Sequence, residues 1–143
     1  MTVNVTLTPF NAFLKNVLEG SVDLSGDTIK AMLVDASYTP NVDAHDFIDD
    51  VSGDEISGTG YSAGGFALAG KAVTQDNTAD QAVWSANTIS QAGCTFDFRY
   101  IVLYKDTGTP ATSALIGYVD CAAQSLVGET FQVDLSALFT LGQ

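Results

Sequence analysis

At its most regular point the sequence reads Cys94-Thr95-Phe96-Asp97-Phe98-Arg99-Tyr100-Ile101-Val102-Leu103-Tyr104-Lys105. Every second residue from Cys94 onward is apolar or aromatic, which is the two-residue period of a β-strand. The alternate residues are polar as far as Arg99 and apolar at Ile101 and Leu103. We therefore expect a long strand with one face buried throughout and its second face buried only near its end.

Shorter segments of similar character lie on both sides of this strand. The predicted strands are 28–34, 66–74, 82–89, 114–121, 129–135 and 137–141. Polar stretches with turn-forming residues, such as 106–110, separate them. Many short strands joined in this way are typical of an antiparallel sheet that folds onto itself.

One helix is predicted near the start of the chain, over residues 9–19. Thr8 offers an N-cap oxygen, Pro9 suits the first helical position, and Gly20 ends the pattern. The apolar side chains that recur there at helical spacing are Phe10, Phe13, Leu14, Val17 and Leu18.

These elements predict a mainly β fold, an antiparallel β-sandwich or barrel with one N-terminal α-helix. The 143 residues suit one domain, 1–143, because domains commonly contain about 100–150 residues. Near the start, Val3, Val5 and Leu7 alternate with polar residues, so residues 1–8 are expected to form a short strand or an extended arm. Such an arm could pair with a neighbour's sheet edge, which makes these three side chains candidate interface residues.

The charge of the chain limits its partners. Asp and Glu number 17 against 5 Lys and Arg, a formal net charge of −12. Proteins that bind nucleic acid or anionic membrane present a basic face, which so few scattered cations cannot form. We therefore expect no nucleic acid and no membrane among the partners. The start of the chain lacks a basic or apolar run, so we expect no secretory signal.

Three glycine motifs invite a catalytic or nucleotide-binding interpretation, and none has the required context. Residues 60–64 spell G-x-S-x-G around Ser62, but a strand is predicted after it where a nucleophile elbow needs a helix. The sole histidine, His45, precedes Ser62 instead of following it. G-x-G-x-x-A at 58–63 and G-x-x-x-x-G-K at 65–71 also precede or contain strand-like residues. We expect no enzymatic activity.

Seven acids and no Lys or Arg occur between residues 31 and 70, and six of the acids lie in residues 43–55. This acidic loop is expected to be solvated, although closely spaced carboxylates could bind Ca²⁺. Its spacing is not that of an EF-hand, and we expect no other cofactor.

Two tyrosines and two cysteines complete the set of candidate residues. Tyr38 and Tyr61 lie in predicted loops beside Thr, Ser and Gly, where a tyrosine can be an interface anchor or stack on a sugar. Cys94 and Cys121 lie on predicted strands, so they are either reduced buried thiols or a cross-strand or intersubunit disulfide.

Six stretches together resemble small virion structural proteins of tailed bacteriophages, some of which are capsid decoration (cement) proteins. They are NAFLKNVLEG at 11–20, DTIKAMLV at 27–34, YTPN at 38–41 with HDF at 45–47, SGTGY at 57–61, YKDTG at 104–108 and LIGYVD at 115–120. The similarity runs over most of the chain, and no catalytic residues come with it.

The resemblance implies a non-enzymatic function. It predicts a capsid decoration protein that binds the major capsid protein or another virion protein, stabilises the shell and forms a homo-oligomer, with a trimer favoured. It places the protein in the virion, after synthesis in the cytoplasm of the bacterial host. The alternative is a receptor- or glycan-binding module of a tail or fibre, in which Tyr61 and the acidic loop would contact the ligand.

Overall fold

The computed structural model describes the backbone of residues 1–143 and every side chain other than that of Asn4. One α-helix, α1, covers Asn11–Leu18, and short 3₁₀ turns occur at Ile48–Asp50, Ser52–Asp54 and Pro110–Thr112. The strands are β1 (Thr2–Asn4), β2 (Thr8–Pro9), β3 (Ile29–Val34), β4 (Phe66–Ala67), β5 (Ala72–Asp76), β6 (Gln81–Ser85), β7 (Ile89–Lys105), β8 (Leu115–Asp134) and β9 (Phe139–Gly142).

The strands form two sheets that pack as a sandwich. The large sheet has the order β1-β8-β7-β3-β4, with β2 also paired to β8, and the small sheet has the order β5-β6-β9. Neighbouring strands are antiparallel except for β1, which runs parallel to β8. The mainly β fold with one N-terminal helix is thus confirmed, and the sandwich is the correct one of the two predicted architectures, since the sheets do not close into a barrel.

The hairpin of β7 and β8 is the centre of the large sheet. β8 has 20 residues and pairs with β7 along most of its length. The sequence predicts two separate strands here, 114–121 and 129–135. In the structure these two segments belong to one strand, since pairing with β7 resumes at residues 124–127 after an irregularity at 121–123.

A bulge interrupts the hairpin where Arg99 lies opposite residues 121–123 of β8. Ala122 adopts a positive φ of 55°, and its N–H donates to Oδ1 of Asp120 at 2.9 Å. Arg99 bridges the same carboxylate with two hydrogen bonds of 3.0 and 2.9 Å. The extra residues are therefore held by a bidentate ion pair, which also lowers the pKa of Asp120.

Burial along β7 changes side at this bulge. Phe96 and Phe98 pack in the main core between the sheets, and beyond the bulge Ile101 and Leu103 take over that role. Tyr100 and the alternate residues after it pack in a second cluster on the opposite face. The predicted burial of every second residue is confirmed, but the prediction that these residues share one face is wrong, because the irregular pairing shifts the phase of the strand.

The start of the chain belongs to the large sheet and the main core. β1 pairs with residues 132–134 of β8, and the side chains of Val5 and Leu7 are buried with 6% of their surface exposed. The Leu7 N–H also donates to the Leu138 carbonyl at 2.9 Å. The segment is extended as predicted, but it pairs with its own sheet rather than projecting as an arm.

Several element boundaries differ from the prediction: the strand predicted at 82–89 is Gln81–Ser85, and β7 begins at Ile89 instead of Cys94. The helix begins at Asn11 after an N-cap residue, Phe10, that makes no side-chain cap, because Thr8–Pro9 pairs with β8 as β2. The predicted strand 66–74 divides at Gly70, whose φ is 61°, into β4 of the large sheet and β5 of the small sheet. Tertiary pairing overrides the local signal at β2 and at Gly70.

Removal of the Phe131 ring is expected to destabilise the fold strongly. The ring is fully buried and lies 5.4 Å from Phe66, 5.8 Å from Phe96 and 5.4 Å from Phe98, centroid to centroid. Phe131→Ala should lower the free energy of unfolding by about 3–5 kcal/mol in urea denaturation. Val127→Ala, at an exposed site of the same strand, should change it by less than about 0.5 kcal/mol. Equal effects of the two variants would contradict this account of the core.

An ion pair between β3 and the loop after β7 is expected to respond to pH. Nζ of Lys30 lies 2.7 Å from Oδ2 of Asp106, and the Gly108 N–H donates to Oδ1 of the same carboxylate. The Lys30 hydrogen bond, aided by Gly108, lowers the pKa of Asp106 below its ordinary 3.8. Because folding lowers this pKa, the stabilisation is present at neutral pH and disappears as the pH falls below about 4.

Asp106→Asn should therefore lower the free energy of unfolding by about 1 kcal/mol at pH 7. The free energies of unfolding of the variant and the wild type, measured by urea denaturation at a series of pH values, should converge near pH 2. Asp49→Asn, which removes an exposed acid without an ion pair in the described residues, should run parallel to the wild type. If the difference in the free energy of unfolding between Asp106→Asn and the wild type stays constant down to pH 2, the effect of the substitution is not electrostatic.

Candidate functional site

The predicted interface residues do not form a common surface. Val5 and Leu7 are inside the main core, and Val3 is half-buried against it. Tyr38 is buried in the second cluster on the far side of the large sheet. Tyr61 is half-buried beside β3. In this fold, these side chains leave little free surface for a partner.

Tyr38 holds the start of the acidic loop in place. Its hydroxyl lies 3.0 Å from Nδ1 of His45, and its ring makes an edge contact with Tyr100 at 5.6 Å. The Asn41 N–H donates to the same histidine nitrogen at 3.3 Å. Burial raises the pKa of the Tyr38 hydroxyl, so it remains protonated at neutral pH.

Tyr61 organises the glycine-rich loop from inside. Its hydroxyl donates to Oε1 of Glu55 at 2.7 Å and accepts from the Leu33 N–H at 3.1 Å. The Gly64 N–H donates to the same Glu55 oxygen at 2.6 Å. Burial, with a further contribution from Glu55, raises the pKa of the Tyr61 hydroxyl. The hydroxyl is therefore a structural donor rather than a free group.

Gly65 explains the glycine run that suggested catalytic motifs. Its φ is 89°, and a Cβ there would collide with the backbone of Ala31. The neighbouring Gly64 carbonyl accepts from the Tyr104 hydroxyl at 2.6 Å. The run therefore permits a close approach of the loop to β3. His45 bonds Tyr38 and not Ser62.

The acids of the loop are spread along the surface. In the part of the chain that the structure describes, no three His, Cys, Asp or Glu side chains converge in a way that could hold a metal ion. Oδ2 of Asp50 instead accepts from the backbone N–H groups of Asp46 and Phe47 at 2.9 and 3.3 Å. Calcium binding by this loop stays a prediction.

The two cysteines are free thiols in this structure. Cys94 is buried in the main core, and Cys121 is half-buried beside the bulge. Burial raises the pKa of the Cys121 thiol to about 11. A thiol with this pKa is unreactive at neutral pH.

An apolar surface lies where α1 meets β9, and it is the most distinctive exposed feature of the molecule. Its five side chains, here called the α1–β9 surface, are Leu14, Val17, Leu18, Phe139 and Leu141. With Phe13 as the floor they enclose an open hollow of about 160 Å³ whose lining is entirely apolar. Leu18 is 88% exposed, Leu141 61% and Leu14 43%.

Ordinary helix and strand geometry builds this surface. Leu14 and Leu18 are one turn apart on α1, so they lie above one another, displaced from the buried Phe13. Phe139 and Leu141 are two positions apart on β9 and therefore point to the same face of the small sheet. The edge of the Phe13 ring meets Phe139 at 5.7 Å and fixes the helix against the strand.

Sequence reasoning missed this surface, although a signal was present. The predicted helix has more apolar residues than are needed to pack one face against the core. Leu14 and Leu18 do not lie on the same side of the helix as Phe13. The sequence alone does not show that β9 would place two further apolar side chains beside them. The juxtaposition depends on the β6–β9 pairing, in which Trp84 lies opposite Phe139.

Three acids lie near the ends of the α1–β9 surface. Glu19, at the end of α1, pairs weakly with Lys15 at 3.8 Å on the exposed side of the helix. Asp76, the last residue of β5, and Asp80, in the β5–β6 turn, share a shallow hollow with Leu141. The centre of the surface is thus apolar and its rim carries net negative charge.

No model of a known protein family, no curated protein and no solved structure significantly matches the chain. None of the helices in the described residues combines the length and the apolar character needed to cross a membrane.

Removing the hydroxyl of Tyr61 should loosen the glycine-rich loop. Tyr61→Phe leaves the buried Leu33 N–H without its partner and takes one donor from Glu55. The free energy of unfolding should fall by about 1–3 kcal/mol. Tyr118→Phe is the matched control, because the Tyr118 hydroxyl makes no hydrogen bond to the described residues. If urea denaturation gives the same midpoint for both variants, the Tyr61 hydroxyl has no structural role.

Proposed function

We propose that the protein is a non-enzymatic structural component of a tailed-phage virion, a capsid decoration protein that binds the major capsid protein. The observation that carries the binding role is the α1–β9 surface. The phage assignment rests on the sequence resemblance. In this proposal the protein adds contact area to the shell and resists its opening.

The size and continuity of the α1–β9 surface support a docking role. Single exposed apolar side chains are ordinary on soluble proteins, whereas a contiguous group from two elements is typical of interaction sites. Complete burial of one leucine side chain contributes about 1.5–3 kcal/mol. Leu18 and Leu141 have most of their surface still available for such burial.

Charge indicates what kind of protein would cover this surface. Four of the five cations are already in ion pairs with the chain's own acids: Lys15, Lys30, Arg99 and Lys105. The remaining acids give the exterior a strong negative field, which keeps free copies apart in solution. The expected partner surface is therefore apolar at its centre and rich in Lys or Arg at its rim.

The alternative function is a receptor- or glycan-binding module, in which Tyr61 and the acidic loop would contact the ligand. The Tyr38 ring is buried and the Tyr61 ring is half-buried against Phe66 and Phe96, which leaves these rings little free surface for a sugar. An open groove of about 560 Å³ with hydroxyl, amide and carboxylate groups, lined in part by Ser37, Asp97 and Gln124, is the surface that would suit a saccharide.

Charged substitutions in the α1–β9 surface should weaken capsid binding. The double variant Leu18→Asp, Leu141→Asp should bind shells of the same phage's major capsid protein at least about tenfold more weakly than the wild type, because it places two charges in an apolar contact. Co-sedimentation with purified shells measures this.

Val127→Asp is the matched control, since Val127 is 77% exposed and lies on β8. It should bind as the wild type does, and both variants should unfold at wild-type urea concentrations. Wild-type protein that fails to sediment with shells would defeat the decoration assignment. Unchanged binding of the double variant would exclude the α1–β9 surface as the contact. Glycan binding by the wild type would favour the alternative function, a receptor- or glycan-binding module.

A further inference from the structure

We propose that β5 is an intersubunit strand, which pairs antiparallel with β5 of a second copy across a two-fold axis at Thr74. The two small sheets would then form one continuous six-stranded sheet. This contact lies on the opposite edge of the small sheet from β9, so it is independent of the α1–β9 surface and of the proposed function.

The outer edge of β5 has unused hydrogen-bonding capacity. All five residues, Ala72–Asp76, pair with β6 in regular register on one side. Among the described residues, no backbone hydrogen bond connects the other side of β5 to any element. Val73 is 53% exposed, and Thr74 and Gln75 are exposed as well. The edge therefore presents a straight row of free N–H and C=O groups.

This edge lacks the features that usually prevent strand addition. Natural edge strands are commonly very short, bulged, or interrupted by Pro or charge. β1 and β4, at the edges of the large sheet, have 3 and 2 residues. β5 has 5 residues with no register shift, and Ala72-Val73-Thr74-Gln75 contains neither Pro nor charge. It is the longest of the strands that end a sheet, since β9, at the other edge of the small sheet, has 4 residues.

The symmetry of a sheet restricts how two copies can pair. A two-fold axis perpendicular to the sheet keeps each side chain on its own face, so one residue must lie opposite its own counterpart. Complete overlap of the five residues puts Thr74 opposite Thr74, Val73 opposite Gln75 and Ala72 opposite Asp76. Threonine pairs and β-branched neighbours are favourable across antiparallel strands.

Charge complementarity favours a second copy as the occupant. A chain with a net charge of −12 repels its own copies over most of its exterior. In the paired strands the centre is uncharged, and the backbone of Lys71 in one copy lies opposite Asn77 of the other, one residue from Asp76. Lys71 is the cation that forms no ion pair within the described residues, and its Nζ only approaches the Leu68 carbonyl at 3.4 Å. A two-fold contact favours a dimer over the cyclic trimer that the resemblance suggests.

Cysteine cross-linking tests both the contact and its register. Cβ atoms of directly opposed residues are about 4.5–5.5 Å apart, close to what a disulfide needs. Thr74→Cys should therefore form covalent dimers under mild oxidation. Val73→Cys should not, because the two Val73 positions are offset by about 7 Å along the strands. Val73→Cys combined with Gln75→Cys should restore the cross-link.

The controls separate specific pairing from random collision. Wild-type protein, with Cys94 and Cys121, sets the background on a non-reducing gel. Thr74→Cys at the wild-type level, or Val73→Cys as efficient as Thr74→Cys, would overturn the proposal. Sedimentation equilibrium should show a wild-type dimer that Val73→Lys dissociates at least tenfold more readily, whereas Val127→Lys should leave it unchanged. The variant Leu18→Asp, Leu141→Asp should remain dimeric, so failure of capsid binding and failure of β5 pairing are distinguishable.

Discussion

The backbone ladder between β7 and β8 is the interaction on which the rest of the structure depends. β1, β2 and β3 all hydrogen-bond to one of these two strands, so they have no sheet to join without it. The hairpin also supplies side chains to both hydrophobic clusters. Because of the bulge at Arg99, the residues of β7 that face the small sheet change along the strand. β7 therefore contributes side chains to both hydrophobic clusters.

An apolar surface remains exposed where the small sheet meets α1. The small sheet is anchored by Trp84, which is buried and donates from Nε1 to the Leu24 carbonyl at 3.1 Å. Its inner face continues past this anchor to Phe139 and Leu141, and α1 covers that region only in part. The apolar character needed for the core thus extends to the surface at one end, next to a rim of acids. This combination suits a protein that is repelled by its own copies in general and binds where the charge is absent.

Sequence reasoning located loop tyrosines correctly but not their role. A tyrosine beside Gly, Ser and Thr is consistent with an exposed anchor and equally with a buried hydroxyl that organises the loop. Tyr61 has the second role because the Leu33 N–H, buried in β3, needs an acceptor and Glu55 needs a donor. The Tyr38 hydroxyl likewise makes a hydrogen bond inside the molecule, with Nδ1 of His45. Which partners are available depends on residues about thirty positions away in the chain or on the packing of another strand, and local sequence does not contain that information.

The alternation in residues 94–105, the turn residues between short strands and the helical spacing after Pro9 were sufficient by themselves to establish a mainly β chain with one N-terminal helix, because these periods follow from backbone geometry. The excess of acidic over basic residues is likewise a property of the composition alone. Only the tertiary structure decided that 114–121 and 129–135 join in one strand, that 66–74 divides between two sheets, and that Leu18 and Leu141 meet at an open surface. Each of these outcomes is settled by hydrogen bonds and packing between distant segments, whose energies exceed the weak local preferences that a sequence displays.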